Sequence, residues 1–229
     1  MGESMSEFYL VRHGQASFGA DNYDKLSPLG HQQARWLGEY FEQRDMEFSH
    51  LWSGDLQRHR ETAQSICSAL SHKPQTSIFA ALNEFDFKNI ADAYLRLYPQ
   101  DRPATNASAA DFYRLLKKAM KLWSEDKLPA QELRESWQQF RSRVHGVIQE
   151  LCSNDSKQPI LIVSSGGAIS MLMSIVLGFE AEQVIEINMQ VKNAGFSHFY
   201  FNKRTVRLSS FNNVPHLDLP ERAGAVTFS

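Results

Sequence analysis

Cysteine is scarce in this chain, and so is any surplus of positive charge. Two cysteines, Cys67 and Cys152, cannot build a disulfide scaffold, and each falls in an apolar helical pattern where small reduced thiols are common. Twenty-four Lys+Arg stand against 26 Asp+Glu, a formal net charge of −2. That balance excludes the broad basic surface of a nucleic-acid or anionic-membrane binder. A long uninterrupted hydrophobic run is also missing. Residues 160–179 come nearest, but Ser164, Ser165, Gly166, Gly167, Ser170 and Ser174 interrupt them, so no membrane span is expected. The opening MGESMSEFYLVRHG lacks the basic and apolar regions of a signal peptide, which makes the cytoplasm the expected location. The histidines show no paired spacing with Cys or carboxylates, so neither a metal nor a cofactor is expected. What is present is 42% hydrophobic and 22% charged over 229 residues, the balance of a chain that folds on its own.

Phe8 to Val11 reads as a strand buried on both faces, ending at Arg12-His13-Gly14. Ser27-Pro28 then has the form of an N-cap followed by proline at the first helical position, with Ala34, Leu37, Tyr40 and Phe41 at helical spacing behind it. A second strand is expected at Ser49–Ser53. The helix after it carries the stripe Ala63, Ile66, Cys67, Leu70, with Asp55 as its expected N-cap. Ser77–Leu82 is expected to be a third strand and Pro159–Val163 a fourth, after which Gly166-Gly167 opens a helix ending near Gly178. Between them, roughly residues 89–153 form a helical insertion over the sheet. Its Pro99–Ala110 loop is expected to be mobile. Phe196–Phe201 and Val206–Phe211 flank Asn202-Lys203-Arg204-Thr205 and predict an antiparallel pair at the sheet edge. The fold class is therefore α/β, a three-layer sandwich with a mostly parallel sheet, and residues 1–229 are expected to be one domain.

In such sheets ligands bind beyond the carboxyl ends of the strands. The polar residues there are Arg12 and His13, Asp55 and Arg58, Asn83 and Glu84, and Ser164 and Ser165. Guanidinium forks suit phosphate oxygens, and the helix start at Gly166-Gly167 offers free amides to the same anion. A neutral imidazole beside them can attack phosphorus, while a protonated glutamate can donate to the leaving oxygen.

Leu10-Val11-Arg12-His13-Gly14-Gln15, followed by Leu26-Ser27-Pro28-Leu29-Gly30 and Gln33-Ala34, closely resembles the opening of the histidine phosphatase superfamily. That family includes the cofactor-dependent phosphoglycerate mutases and many phosphomonoesterases. Ser53-Gly54-Asp55-Leu56-Gln57-Arg58 with Thr62-Ala63 resembles its second arginine segment, Leu82-Asn83-Glu84 its acidic segment, and Ile162-Val163-Ser164-Ser165-Gly166-Gly167 its second histidine segment. The resemblance implies a phosphoglycerate mutase-like fold, with His13 as phosphorylated nucleophile and Glu84 as proton donor. Arg12, Arg58, Gln15 and the Ser165-Gly166 turn would bind the substrate, a small phosphate ester. Two departures stand out. Ser165 occupies the place of the family's second histidine, so Ser165→His is expected to raise the rate. Gly19 stands where the mutases tend to carry asparagine, and Ala16 replaces a hydroxyl residue, which counts against a mutase.

A phosphate-binding pseudoenzyme acting through a protein partner stays open beside the phosphatase. A serine hydrolase built on Ser165 finds no support, because there is no Gly-x-Ser-x-Gly elbow and no histidine has an evident route to it. His31, His50, His59, His72, His145 and His216 are read as surface or core residues, and His198 as an outside candidate for the site. Lys117, Lys118 and Lys121 form a basic face that is either plainly solvated or draws anions toward a pocket. Phe112, Trp123, Trp137 and Phe140 are expected to pack, and Phe85 and Phe87 to line the pocket.

Overall fold

The structure, a computed structural model, describes residues 5–17, 24–104 and 106–228. Six strands make one sheet: β1 (Ser6–Arg12), β2 (His50–Ser53), β3 (Gln75–Ile78), β4 (Ile160–Ser164), β5 (Phe196–Phe201) and β6 (Val206–Asn213). Their spatial order is β3-β2-β4-β1-β5-β6. The first four run parallel, and β5 and β6 close one side antiparallel. β4 lies between β2 and β1 and is buried along its whole length, which is why its sequence is a continuous apolar run.

Successive strand residues face opposite sides of the sheet, and this sorts the core into two layers. Val11, Leu51, Leu161 and Val163 pack on Ala34, Leu37 and Phe41 of α1 (Pro28–Glu42) and on Ala63 and Ile66 of α2 (Gln57–Ser68). Phe8, Leu10, Trp52, Ile160 and Ile162 face the other way. There they meet α3 (Phe87–Leu97), α4 (Ala109–Ser124), α5 (Trp137–Ser153), α6 (Gly166–Leu177) and α7 (Ala181–Asn188). Each fully buried Leu, Ile or Phe contributes about 1.5–3 kcal/mol. The expected three-layer architecture is the observed one.

Helix starts follow local chemistry. Ser27 Oγ accepts the Gly30 amide at 3.0 Å with Pro28 behind it, and capping boxes at Ser108/Asp111 and Ser136/Gln139 open α4 and α5. α6 ends at Gly178, whose φ of 75° favours glycine.

Several boundaries differ from expectation. Asp55 does not cap α2. Leu56 takes the N-cap position without a side-chain bond, and the Gln57 amide donates instead to Asp24 Oδ2 at 2.8 Å. The third strand begins at Gln75 and ends at Ile78, its tail winding into a 3-10 turn at Ala80–Leu82. α7 was not anticipated because Glu180 to Asn188 carries too short an apolar stripe to be read alone. Phe112 is half exposed rather than packed. Lys117 is paired with Glu186 and Lys118 with Asp101, so two of the three basic charges are already engaged. Cys67 and Cys152 are free and only partly buried. Among the described residues no helix is long and apolar enough to cross a membrane.

Candidate active site at the carboxyl end of the sheet

The strand ends are stitched together by backbone before any side chain matters. The His13 amide donates to Ser164 O at 2.9 Å and the Gly54 amide to Val163 O at 3.2 Å. The loop after β1 and the start of α1 touch backbone to backbone. A Cβ on Gly14 would lie 2.3 Å from Gly30 O, and one on Gly30 would lie 2.1 Å from Gln15 O, so both glycines are required by close approach. Thr62 Oγ1 accepts the Gly14 amide at 3.0 Å and donates to Arg58 O at 2.7 Å, tying α2 to the same loop.

His13 is 5% exposed. Its Nδ1 lies 2.7 Å from Gly14 O, which can only accept, so Nδ1 carries the proton and Nε2 keeps its lone pair. Arg58 Nε donates to that Nε2 at 3.3 Å. Burial, then the Arg58 and Arg12 guanidinium groups, hold the imidazole pKa well below its ordinary value. A neutral imidazole with one unprotonated nitrogen is the form a nucleophile needs.

Asp24 Oδ1 pairs with Arg58 Nη1 at 2.6 Å, which fixes the guanidinium plane. Arg12 donates through Nη1 to the carbonyls of Val191 and Phe228, the latter at 2.7 Å. Gly166 lies against this arginine, its would-be Cβ 3.7 Å from Arg12 Nε and 2.6 Å from Asn188 Oδ1.

Glu84 sits across from these cations. Its Oε2 accepts the Gly167 amide at 3.0 Å and its Oε1 the Phe85 amide at 3.1 Å. Burial raises its pKa against the opposing pull of those amides and the arginines, and it is burial that prevails. One amide of the α6 start, expected to serve an anion, is thus taken by Glu84. Gly167 must be glycine because a Cβ there would fall 2.2 Å from Glu84 Oε1 and 2.4 Å from the Phe85 ring. The segment carrying Glu84 is pinned from α5. Arg143 Nη1 donates to Ala81 O at 2.9 Å and Asn83 O at 2.7 Å, and Glu135 holds the same guanidinium bidentately. Asn83 and Asp55 bond to each other through the Asp55 amide and both side chains.

Ser165 is fully buried at the N-cap of α6, and its side chain makes no cap bond among the described residues. Its Oγ lies 2.6 Å from His59 Nε2. His59 is a core residue, as expected, but it reaches Ser165, and the expectation that no histidine has an evident route to Ser165 is overturned. The His59 ring stands 5.7 Å from that of His13. Burial, then Arg58, keep it neutral. Its signal was present in the sequence, since His59 extends the stripe Ala63, Ile66 back by four residues to the residue beside Arg58.

The structure thus gathers Arg12, His13, Arg58, Glu84, Ser165 and Gly166 in one place. Gln15 lies on the same loop two residues after His13, with its side-chain oxygen accepting from Ser27 Oγ at 2.8 Å. His198 does not join. It stacks on Tyr9 at 4.5 Å and lies 2.9 Å from Glu7 Oε2, back along the sheet. Phe85 is core, packed on Trp123 and Phe140, and Gly19 lies outside the described residues. Asp24 and Arg143 escaped sequence reading because nothing local distinguishes them. Among the described residues no cluster of three or more His, Cys, Asp or Glu is arranged to hold a metal ion.

A mostly parallel α/β sheet carries a neutral histidine, two arginines and a buried acid beyond its strand ends, a grouping whose chemistry suits an oxyanion. The model of the histidine phosphatase superfamily (branch 1) matches residues 8–214, and the chain belongs to that family. It is 24% identical over 227 residues to the probable phosphoglycerate mutase of Salmonella choleraesuis (strain SC-B67), covering 94% of this chain and 97% of that one. Two solved structures share the fold. The Bacillus anthracis phosphoglycerate mutase has a TM-score of 0.66 at 19% identity, over 93% of this chain and 95% of that one. The Entamoeba histolytica phosphoserine phosphatase, in complex with 3-phosphoglyceric acid, has a TM-score of 0.65 at 22% identity, over 93% and 100%.

Proposed function

We propose that this protein hydrolyses a phosphate monoester, without needing a metal, through a phosphohistidine on His13. The observation that carries the reading is the His13 imidazole, neutral, with Nδ1 committed to Gly14 O and Nε2 facing Arg58 Nε at 3.3 Å. Nε2 attacks phosphorus, a P–N bond forms, and the P–O bond to the alcohol breaks. Arg12, Arg58 and the Ser165-Gly166 turn, with Gln15, stabilise the charge on the transferring group. Glu84, whose burial favours the protonated acid, gives its proton to the leaving oxygen. A water then attacks phosphorus of the phosphohistidine, its proton passes to Glu84, the P–N bond breaks with its electron pair returning to His13 Nε2, and inorganic phosphate leaves. The fold shared with the Entamoeba histolytica phosphoserine phosphatase favours hydrolysis of a small phosphate ester. Residues 1–229 act in this reading as one domain, with the helices of about 89–153 roofing the site and selecting the substrate.

The test is initial-rate hydrolysis of a panel of phosphate monoesters by wild type and His13→Ala, with EDTA throughout. Turnover by wild type alone is expected. Equal rates for the two proteins would remove His13 as nucleophile. No turnover by either, with inorganic phosphate still bound by wild type, would instead identify a pseudoenzyme working through a partner.

A further inference from the structure

His59 and Ser165 come from different elements, α2 and the start of α6, and meet at 2.6 Å with both residues fully buried. Each has forgone a common alternative. Ser165 sits at an N-cap, where a serine hydroxyl ordinarily accepts a helix amide, yet it makes no such bond, and the Gly167 amide goes to Glu84. His59 leaves Nδ1 buried with no hydrogen-bond partner among the described residues, packed where a Cβ on Gly54 would lie 2.2 Å away. An unpaired buried nitrogen costs stability, so the single bond it does make is the one that accounts for a histidine there.

That bond spans the two halves of the site. On one side α2 carries Arg58, which touches His13 Nε2; on the other, α6 begins with the turn whose Gly167 amide holds Glu84. We propose that His59 is a positioning residue: it supplies from α2 the imidazole at the end of β4, and through Ser165 keeps the first turn of α6 in register with His13 and Arg58. The proposal rests on the phosphohistidine reading above. It also reverses the expectation for Ser165→His. With His59 already 2.6 Å from Ser165 Oγ and no solvent around either residue, a second ring has no space, so that variant is expected to lose activity.

The imidazole can be moved between elements. His59→Ala and Ser165→His are each expected to lower kcat roughly tenfold to a hundredfold, corresponding to about 1.4–2.8 kcal/mol at the transition state, while KM moves less than about threefold. The double variant His59→Ala/Ser165→His, with one imidazole on the other helix, is expected to recover most of the rate. Ser165→Ala serves as a smaller perturbation should Ser165→His fail to fold, and His59→Ala/Ser165→Ala should be no worse than either alanine variant alone. A folded His59→Ala with wild-type kcat would overturn the proposal, as would a folded double variant no faster than His59→Ala. Should wild type hydrolyse no ester, the phosphatase reading falls by itself. Calorimetry with vanadate, which mimics the five-coordinate phosphoryl group, and with inorganic phosphate then decides for His59. Weaker vanadate binding in His59→Ala with phosphate binding kept supports positioning, and unchanged vanadate binding refutes it.

Discussion

Three histidines in the interior, His13, His59 and His216, are held below their ordinary pKa, chiefly by burial. His216 is lowered to about 3, with Arg222 adding to the effect. In the unfolded chain these rings protonate near pH 6.5, whereas in the folded chain they resist the proton. The unfolded state therefore binds more protons below that value. Stability is complete above about pH 6.5 and falls as the pH drops, down to about pH 3 for His216, by about 1.4 kcal/mol per pH unit for each fully suppressed ring. Urea unfolding between pH 7 and pH 4 should show this loss, and His216→Phe should make it shallower by about one proton. Glu84 is displaced in the opposite direction, its burial favouring the protonated acid. Glu84→Gln should slow an alkyl phosphate roughly a hundredfold to ten-thousandfold but p-nitrophenyl phosphate much less, since a good leaving group departs without a proton. Equal slowing of the two esters would refute the acid role.

At the scale of elements, the start of α2 depends on a residue 33 positions earlier. Asp24 accepts the Gln57 amide and pairs with Arg58 Nη1, so Asp24→Ala removes a cap and a tether together. It is expected to cost about 1 kcal/mol in a thermal melt and to raise KM severalfold by loosening the Arg58 fork. An unchanged KM would show that His13 and the helix hold the arginine unaided. The sequence points to Asp55 as this cap because local spacing is all it displays, and the competing carboxylate arrives only through tertiary contact. Legibility follows the same line elsewhere. The buried run of β4, the Ser27-Pro28 start of α1 and the β5–β6 pair are local patterns and appear where expected. The histidine-arginine-glutamate grouping is also readable, since Arg12 ends β1 and His13 follows it, Arg58 opens the helix after β2, and Glu84 follows the turn after β3. The meeting of His59 with Ser165, 106 residues apart, depends on how α2 rolls against the sheet. Of that, periodicity records only that His59 faces inward.

Across the whole molecule, the helices of the 89–153 segment are wired to the acid. Arg143 on α5 gathers Glu135 and the carbonyls of Ala81 and Asn83, next to Glu84. Arg143→Ala strands a carboxylate and two carbonyls in a poorly solvated place, an expected loss of about 2–3 kcal/mol by urea unfolding. Since its effect reaches the chemistry through Glu84, hydrolysis of alkyl esters should suffer more than that of aryl esters. Equal losses would mean that the arginine serves stability alone.

Residues 225–228 are anchored just as firmly at the opposite flank. Gln33 Nε2 donates to Ala225 O at 2.7 Å and to Thr227 Oγ1 at 3.0 Å. Thr227 O accepts the Asn193 amide at 2.9 Å, and Phe228 O accepts from Arg12. β1, in contrast, starts at Ser6, the full length of a strand away from Arg12. The two flanks are thus unequal as attachment points. A purification handle or surface tether joined ahead of β1 is expected to leave the candidate site undisturbed, whereas trimming or burdening residues 225–228 pulls directly on Arg12.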